Sequence, residues 1–330
     1  MNLPNACTSK IAVIGAGVTG LTGARHLKAN GYEPIVFEKS RGLGGRLASR
    51  RLKDGVTFDH GAQYLTARST AFQSMLKEAT EVGAADHWHP IAPDQSTLVP
   101  ETWIVGTPTM NALIKPLAHG IDVRLNVQAT SIEREGHAWR VRTLTDKAGE
   151  DFDIVVCTVP APQAHTLLFH EPSVAEALAD VTFAPCWALM LTFSTPIEPG
   201  FDVRRSDADA FSWIARNSSK PCRPSQKDAW VAHASPTWST SHLGVAREQV
   251  ARKMVEMLPA AFGCRLPEIE HVCAHSWLYA LTTTPLGKPY LCSDDRTLFV
   301  GGDWCLGPRI ECAFASGDAI ATALTGVSTG

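Results

Sequence analysis

The sequence predicts an α/β protein, α+β overall, in which a parallel-sheet domain is interrupted by a second domain built on a mixed sheet. Residues 11–14 form a wholly apolar run, typical of a buried parallel strand, and a glycine-rich turn and a helical segment follow directly. Residues 298–302 repeat this pattern, with a helix at residues 310–324. Between residues 160 and 285 the chain shows alternating strands rich in tryptophan. The two flanking units therefore belong to one domain and the middle to another.

The composition bounds the possible functions. With 330 residues, 45% of them apolar, the chain can bury a large core and form two domains. Its 30 basic and 33 acidic residues give a formal net charge of -3 without a long basic block, so we expect no nucleic-acid partner. Nine cysteines without a C-x-x-C pair indicate reduced thiols and a cytoplasmic location. The first ten residues have the pattern of neither a signal peptide nor a membrane span, so we expect no membrane partner.

The remaining elements follow from the spacing of apolar residues. Residues 34–37 are predicted to be a strand, and residues 72–84 and 110–118 to be helices. Three segments alternate apolar and polar side chains, as the strands of an antiparallel meander do: residues 123–127, 130–133 and 139–144. Residues 152–159 are predicted to close this meander as a buried strand. Residues 90–100, with three prolines, are predicted to be a loop or hairpin.

Gly15, Gly17 and Gly20 form a G-x-G-x-x-G turn directly after the first strand and directly before the first helix. Because glycines carry no side chain, the backbone amides at the helix N-terminus can approach a pyrophosphate, which the helix dipole also favours. Glu38 ends the second strand, where a carboxylate can accept hydrogen bonds from a ribose and disfavours a 2′-phosphate. A tight structural turn is the alternative, but the three features together predict a dinucleotide site.

Two distal segments distinguish a flavin dinucleotide from a nicotinamide dinucleotide. A second glycine loop, residues 41–46, ends in Arg46, which can supply positive charge to the phosphates and ribityl chain. Asp303 follows the strand at residues 298–302 and can hold a ribityl hydroxyl or, through its backbone, a phosphate. The next helix directs its positive end to where negative charge develops on a reduced flavin. The structural alternatives are a strand end for residues 301–302 and a helix cap for Asp303. A dehydrogenase that uses nicotinamide alone would leave both distal segments without a function.

Five segments carry a resemblance to known proteins: residues 14–20 (I-G-A-G-V-T-G), 39–46 (K-S-R-G-L-G-G-R), 59–64 (D-H-G-A-Q-Y), 277–279 (W-L-Y) and 301–305 (G-G-D-W-C). This combination resembles the flavin-dependent amine-oxidase superfamily and, within it, the bacterial renalases. The resemblance implies a Rossmann-like FAD-binding domain of three-layer ββα architecture that holds noncovalent FAD. It further implies an inserted mixed-sheet substrate domain, as in p-hydroxybenzoate hydroxylase, with the flavin ring at the domain interface.

The resemblance also implies an activity. Renalases of this kind oxidise the 2- and 6-dihydro isomers of NAD(P)H to NAD(P)+, with hydride transfer to flavin N5 and reduction of oxygen to hydrogen peroxide. Aromatisation drives this step, so it does not require a strong general base, and the protein acts by positioning and electrostatics. The expected partners are therefore a small-molecule dihydropyridine dinucleotide and oxygen.

Site residues are carried over from the resemblance by position. FAD contacts are expected at Gly15, Gly17, Gly20, Glu38, Lys39, Gly45, Arg46, Ala62, Gln63, Ala129, Asp303, Ile310 and Glu311, the last two through backbone amides. The substrate pocket is expected to contain Asn217, His233 and Trp277, with Trp277 as an aromatic wall above the flavin. A buried core histidine and a half-buried sheet tryptophan are the structural alternatives for His233 and Trp277. Asp59 and His60 are expected only to support the backbone before Gly61.

The domain boundaries follow from the need to bring both ends of the chain to one cofactor. The FAD-binding domain is predicted to be discontinuous and to comprise residues 1–75, 105–160 and 287–330. The substrate domain is predicted to comprise residues 76–104 and 161–286.

Other functions remain open on the sequence alone. They are an FAD-dependent amine oxidase or desaturase of the same superfamily, and a noncatalytic dinucleotide-binding protein. The scattered histidines lack a metal-ligand spacing, so we expect no metal. Cys305 and Cys312 flank the expected flavin and are candidates for a covalent thioether, although the resemblance implies a noncovalent cofactor.

Overall fold

The computed structural model describes residues 9–92, 102–224 and 227–328. Its strands are β1 (Ile11–Ile14), β2 (Ile35–Glu38), β3 (Ser49–Arg51), β4 (Thr57–Asp59), β5 (Ala85–Trp88), β6 (Trp103–Gly106), β7 (Asp122–Leu125), β8 (Ala129–Glu135), β9 (Ala138–Thr143), β10 (Glu150–Phe152), β11 (Ile154–Cys157), β12 (Thr182–Phe193), β13 (Val203–Arg205), β14 (Phe211–Arg216), β15 (Ala229–Ala234), β16 (Ile269–Thr284), β17 (Leu291–Cys292) and β18 (Leu298–Val300). Its α-helices are α1 (Val18–Ala29), α2 (Thr70–Glu81), α3 (Ala161–Leu167), α4 (Pro172–Leu178), α5 (Pro236–Ser241), α6 (Arg247–Phe262) and α7 (Ile310–Thr325). Short 3₁₀ helices span Gly45–Leu47, Met110–Ala118, Asn217–Ser219 and Asp303–Cys305.

Six strands form a sheet in the order β17, β18, β11, β1, β2, β7, in which all pairs except β17–β18 are parallel. Its central strands are apolar on both faces because both faces are covered. Ile11 and Val13 pack in one core with α1 and α7, whereas Ala12 and Ile14 pack in another with the meander β8–β10. These three layers confirm the predicted Rossmann-like α/β domain and its ββα architecture.

The crossing of α1 and α7 brings together segments from the two ends of the chain. An added Cβ at Gly317 would lie 2.2 Å from the carbonyl oxygen of Thr19, so the helices touch along their backbones. The Thr19 hydroxyl also donates a hydrogen bond to the carbonyl of Ala313, at 2.9 Å. The chain therefore returns to the six-stranded sheet and its helices after it has formed the five-stranded sheet.

Two strand predictions were wrong. Strand β7 pairs in parallel with β2 and forms the edge of the six-stranded sheet, where its side chains are half exposed and lack the apolar run of a central strand. The strand predicted at residues 152–159 to close the meander is instead two strands. Strand β10 completes the meander, and β11 lies in the centre of the six-stranded sheet. The predicted helix at residues 110–118 is a 3₁₀ helix that contains Pro116. Of the predicted loop at residues 90–100, residues 93–100 lie outside the described residues.

The second large sheet has the order β13, β14, β15, β12, β16 and is antiparallel throughout. Trp230 and Ala232 of β15 pack in a core with α6 on one face of this sheet. Because side chains alternate along a strand, His233 lies on the opposite face, toward the first domain. This arrangement leaves one face of the sheet available to line a site.

Packing shifts one proposed domain boundary. Helices α3 and α4 follow residue 160, yet Ala161, Ala164 and Leu178 pack in the same core as the meander. We therefore propose that the substrate domain begins at β12 instead of residue 161. Within the described ranges, no helix is both long enough and apolar enough to cross a membrane.

Candidate functional site

A cavity of about 1630 Å³ lies where the glycine-rich turns of the six-stranded sheet meet the inner face of the five-stranded sheet. Most of the predicted site residues line it: Gly15, Gly17, Glu38, Lys39, Gly45, Arg46, Ala62, Gln63, Ala129, His233, Trp277, Asp303 and Ile310. Gly20, Asn217 and Glu311 do not line it, and their contacts show why.

The glycine turn after β1 presents its backbone to the cavity. Gly15 has a φ of +106°, which a residue with a side chain rarely adopts, and an added Cβ at Gly17 would meet no atom within 4 Å. The start of α1 is therefore open to an anion. Gly20 requires a correction, because an added Cβ there would lie 2.0 Å from the carbonyl oxygen of Gly15. Gly20 permits the close approach of helix and turn and does not face the cavity.

Glu38 is buried at the end of β2, and the backbone holds its carboxylate. Its Oε2 accepts a hydrogen bond from the amide of Ala16 at 2.9 Å, and its Oε1 accepts one from the amide of Ser40 at 2.8 Å. Each carboxylate oxygen has a second lone pair, so Glu38 can still accept a hydrogen bond from a ribose hydroxyl in the cavity.

Arg46 and Asp303, 257 positions apart in the chain, form a bidentate ion pair in the cavity wall. Arg46 Nη1 lies 2.8 Å from Asp303 Oδ2, and Nη2 lies 2.5 Å from Oδ1. Nη1 also lies 3.4 Å from the carbonyl oxygens of Tyr279 and Ala280 on β16. The guanidinium of Arg46 therefore connects the second glycine loop to Asp303, in the C-terminal segment of the FAD-binding domain, and to β16 of the substrate domain.

Glu311 directs its side chain away from the cavity. Its Oε1 accepts hydrogen bonds from the backbone amides of Arg68, at 3.0 Å, and Ser69, at 2.6 Å, and so supports the start of α2. A contact through the Glu311 side chain is therefore excluded in this conformation. Ile310, one residue earlier, lines the cavity at the N-terminus of α7.

The two cysteines singled out from the sequence lie behind the described cavity wall. Cys305 is fully buried, and burial raises its pKa to about 12. Burial also raises the pKa of Cys312. A thiol that stays protonated is a poor nucleophile, so neither residue is prepared to form a covalent flavin link.

At the end of the cavity formed by β16, aromatic rings gather around the backbone of His60. Trp277 Nε1 donates a hydrogen bond to the carbonyl oxygen of His60 at 2.9 Å, and the rings of Trp277 and His60 stack at 5.2 Å. His275 lies 4.7 Å from the His60 ring and 4.5 Å from the Trp277 ring. Sequence reasoning missed His60 and His275 as cavity residues. The signal for His275 was its position two residues before Trp277, on the same face of a strand.

The histidines of this end are neutral near pH 7. Burial lowers the pKa of His60 to about 3 and those of His233 and His275 to about 4, and the positive charge of Arg50 adds to the shift at His60 and His275. His233 Nε2 lies 3.2 Å from the carbonyl oxygen of His60, an acceptor only, so Nε2 carries the proton. The Nδ1 of His233 is then the hydrogen-bond acceptor of that ring.

Asn217 is fully buried and does not reach the cavity, which corrects its predicted place in the substrate pocket. Its side chain donates to the carbonyl oxygen of Thr57 at 2.8 Å and accepts from the amide of Asp59 at 3.2 Å. Asn217 thus joins β4 to the substrate domain through backbone hydrogen bonds. It can influence the pocket only by holding the segment before His60.

Asp59 is the centre of a buried charge cluster that the sequence did not reveal. Its Oδ2 lies 2.6 Å from Arg223 Nη2 and 3.2 Å from Lys220 Nζ, and all three side chains are inaccessible to solvent or nearly so. Burial alone would raise the pKa of Asp59, but the two cations outweigh it and hold that pKa well below its usual range. Lys220 Nζ also lies 3.3 Å from Gln63 Oε1 and thereby orients the amide of a cavity residue.

Comparison with known proteins identifies the family. The model for flavin containing amine oxidoreductases matches residues 93–325, more than half of the chain, and the model for NAD(P)-binding Rossmann-like domains matches residues 13–79. The chain therefore belongs to the flavin-containing amine oxidoreductase family. It is an FAD-dependent oxidoreductase.

Individual relatives of this oxidoreductase support the same family assignment. The chain is 26% identical to renalase from Mus musculus over 339 residues, which cover 92% of this chain and 97% of the relative. Cyclohexylamine oxidase from Brevibacterium oxydans shares its fold with a TM-score of 0.74 at 12% identity, covering 96% of this chain and 99% of that one. A protein from Exiguobacterium sp. 255-15, provisionally named a protoporphyrinogen oxidase, has a TM-score of 0.76 at 14% identity, covering 97% and 99%.

The cavity of this oxidoreductase fits FAD. The open turn at Gly17 and the N-terminus of α1 suit the pyrophosphate, and Glu38 suits the adenosine ribose. Arg46 and Asp303 offer charge and hydrogen-bond partners to the ribityl and phosphate groups, and the N-terminus of α7 at Ile310 suits the flavin ring. The individual assignments of these residues to FAD remain predictions.

Proposed function

We propose that this oxidoreductase oxidises dihydropyridine isomers of NAD(P)H, the 2- and 6-dihydro forms, to NAD(P)+, and that oxygen is its electron acceptor. The observation that carries the proposal is the β16 end of the cavity, where Trp277 and the neutral imidazoles of His60, His233 and His275 line the site and the Trp277 indole stacks on the His60 ring. The likeness to a renalase over 92% of the chain supports the same reading.

The protein's part in this reaction is to position the substrate. When bound, FAD would supply at N5 the two-electron acceptor for a hydride of the dihydropyridine ring, and oxygen, with a proton from solvent, would take up that hydride equivalent as hydrogen peroxide. Trp277 offers its indole face to a planar ring, and its hydrogen bond to His60 holds that face in place. His233 offers Nδ1 as an acceptor for an amide N–H, such as that of a nicotinamide carboxamide.

No strong general base faces this end of the described cavity, and the reaction needs none. The two carboxylates of the described lining, Glu38 and Asp303, are held by backbone amides and by Arg46, respectively. The neutral histidines neither repel nor neutralise a cation that forms as the ring becomes aromatic. The site therefore suits hydride transfer driven by aromatisation.

We further propose a cytoplasmic location and a discontinuous FAD-binding domain interrupted by the substrate domain. The described cysteines are all free thiols, and free thiols are typical of a reducing compartment. The contact of α1 with α7 supports the discontinuous domain.

Anaerobic mixing tests the proposed activity. The purified flavoprotein is mixed, without oxygen, with 2-dihydro-NAD, 6-dihydro-NAD, ordinary NADH and a set of primary amines, and bleaching of the flavin absorbance is followed. We expect rapid bleaching by the first two compounds only, and hydrogen peroxide equal to the substrate consumed once oxygen is admitted. Rapid bleaching by an amine but by neither isomer would make the protein an amine oxidase instead. A bound flavin that no donor reduces would favour the noncatalytic reading.

A further inference from the structure

The cavity carries far more positive than negative charge. Of the residues that line it in the described chain, six are basic (Lys39, Arg41, Arg46, Arg50, Arg68 and Arg309) and two are acidic (Glu38 and Asp303). The whole chain has a net charge of -3, so the excess is local. The diphosphate of FAD neutralises about two of these positive charges. Glu311, which pairs with Arg309, neutralises one more of them, and the positive charge that remains favours an anion as the second ligand.

Arg50 is a basic residue of this lining without a carboxylate partner among the described residues. Arg46 pairs with Asp303, Arg309 lies 3.0 Å from Glu311, and Lys39 Nζ lies 3.4 Å from Gln163 Oε1. Arg50 Nη1, in contrast, contacts the Sγ of Cys273 at 3.2 Å, and no carboxylate of the described residues forms an ion pair with it. A thiol is a poor acceptor, so the guanidinium retains most of its hydrogen-bonding capacity.

Arg50 lies at the substrate end of the cavity. It is the middle residue of β3, and its contact at Cys273 is on β16, two residues from His275 and four from Trp277. Its positive charge also lowers the pKa values of His60 and His275. The glycine turn that suits the FAD pyrophosphate lies between β1 and α1, a separate segment of the same domain.

We propose that Arg50 is the anion-binding residue of the substrate site and holds a phosphate group of the dihydropyridine nucleotide. This inference rests on the proposed function and deepens it, since it specifies a phosphorylated substrate. A guanidinium binds phosphate through two parallel hydrogen bonds, and a half-buried position strengthens them. The phosphate is either the pyrophosphate of a dinucleotide or the 2′-phosphate of an NADP form, and the substrates used in the test distinguish them.

The test compares Arg50→Gln with wild type on three substrates: the 6-dihydro forms of NAD, of NADP and of nicotinamide riboside, which has no phosphate. Loss of a charged hydrogen bond lowers kcat/KM by about ten- to a hundredfold. We expect this loss for both dinucleotides, or for the NADP form alone if Arg50 holds the 2′-phosphate, and no change for the riboside. Arg50→Lys keeps the charge and should recover part of the loss. Arg51→Gln is the matched control, because Arg51 is the next residue of β3, is exposed and does not line the cavity.

A binding measurement separates failure of this inference from failure of the proposed function. NAD+, NADP+ and nicotinamide riboside are titrated into the oxidised holoenzyme, and the perturbation of the flavin spectrum gives each Kd. If the phosphorylated ligands bind more tightly than the riboside and Arg50→Gln removes that advantage, Arg50 is the phosphate site even if no dihydropyridine reduces the flavin. The inference is overturned if Arg50→Gln weakens riboside and dinucleotides equally, or if the dinucleotides have no advantage in wild type.

Discussion

The indole nitrogen of Trp277 donates a hydrogen bond to the backbone carbonyl of His60 at 2.9 Å, and the two rings stack face to face. This contact joins the substrate domain to the D-H-G-A-Q-Y segment of the FAD-binding domain, residues 59–64, where Gln63 lines the same cavity. The orientation of the aromatic wall is therefore set by a backbone atom of the other domain. A change at Trp277 should alter substrate positioning before it alters cofactor binding.

Trp277→Phe should lower the efficiency of dihydropyridine oxidation while FAD stays bound. The variant keeps an aromatic face but loses the N–H donor, which typically contributes about 0.5–1.5 kcal/mol, so we expect a fall in kcat/KM of up to about tenfold. Stopped-flow flavin reduction measures this fall, and the flavin-to-protein absorbance ratio measures occupancy. Trp238→Phe, on α5, is the control. Unchanged kinetics in Trp277→Phe would remove Trp277 from the substrate site.

Stability should fall as the pH falls from about 6.5 to 4. The pKa of His233 is about 6.5 when unfolded and about 4 when folded, so in this range the unfolded chain binds a proton that the folded chain does not. His233 thus favours folding fully above pH 6.5 and loses this contribution toward pH 4. His233→Gln should therefore show a shallower decrease in Tm over this range, at about 2–4 °C for each kcal/mol. His87→Gln, at an exposed position, is the control, and identical pH profiles for wild type and His233→Gln would contradict the prediction.

Alanine at two glycines of the same turn should have opposite consequences. Gly17→Ala places its methyl group in open cavity space and should fold normally, but it should bind FAD more weakly, since the methyl group obstructs a phosphate. Gly20→Ala places its methyl group 2.0 Å from the carbonyl of Gly15 and should destabilise the apoprotein by about 3 kcal/mol or more. Urea unfolding of the apoproteins and FAD titration separate the two effects. Equal losses of stability in both variants would contradict this assignment.

The buried charge cluster should tolerate the loss of one cation better than the loss of its anion. Asp59→Asn leaves Lys220 and Arg223 buried without a counter-charge and should reduce the free energy of unfolding by about 3–5 kcal/mol. Lys220→Met leaves the close pair of Asp59 and Arg223 intact and should cost no more than about 1 kcal/mol. Denaturant unfolding at pH 7 gives both values. A larger loss for Lys220→Met than for Asp59→Asn would show that Lys220 has a further essential contact.

Much of the FAD-binding domain is readable from the sequence because its signals are local. A strand, a glycine turn and a helix that follow one another within about twenty residues form one local unit. Gly15, Gly17 and Glu38 line the cavity, as that unit predicts. The pairing of β7 was misread because an edge strand carries the same half-exposed pattern whether it joins a meander or a parallel sheet. Local pattern determines the element but not its neighbours.

The substrate end was decided by tertiary structure. Asn217 and His233 have equally plausible sequence contexts, yet the strand register directs His233 into the cavity, whereas Asn217 bonds to the backbone of β4. The contacts of Asp59 with Lys220 and of Trp277 with His60 join residues more than 150 positions apart, and no spacing rule predicts them. By itself the sequence determined the strands, glycine turns and helices of a dinucleotide-binding unit, because these are set by short-range sterics, and it predicted that the domain is discontinuous. Only the folding of one domain against the other decided which rings and charges face the substrate, because burial and hydrogen-bond partners depend on neighbours distant in the chain.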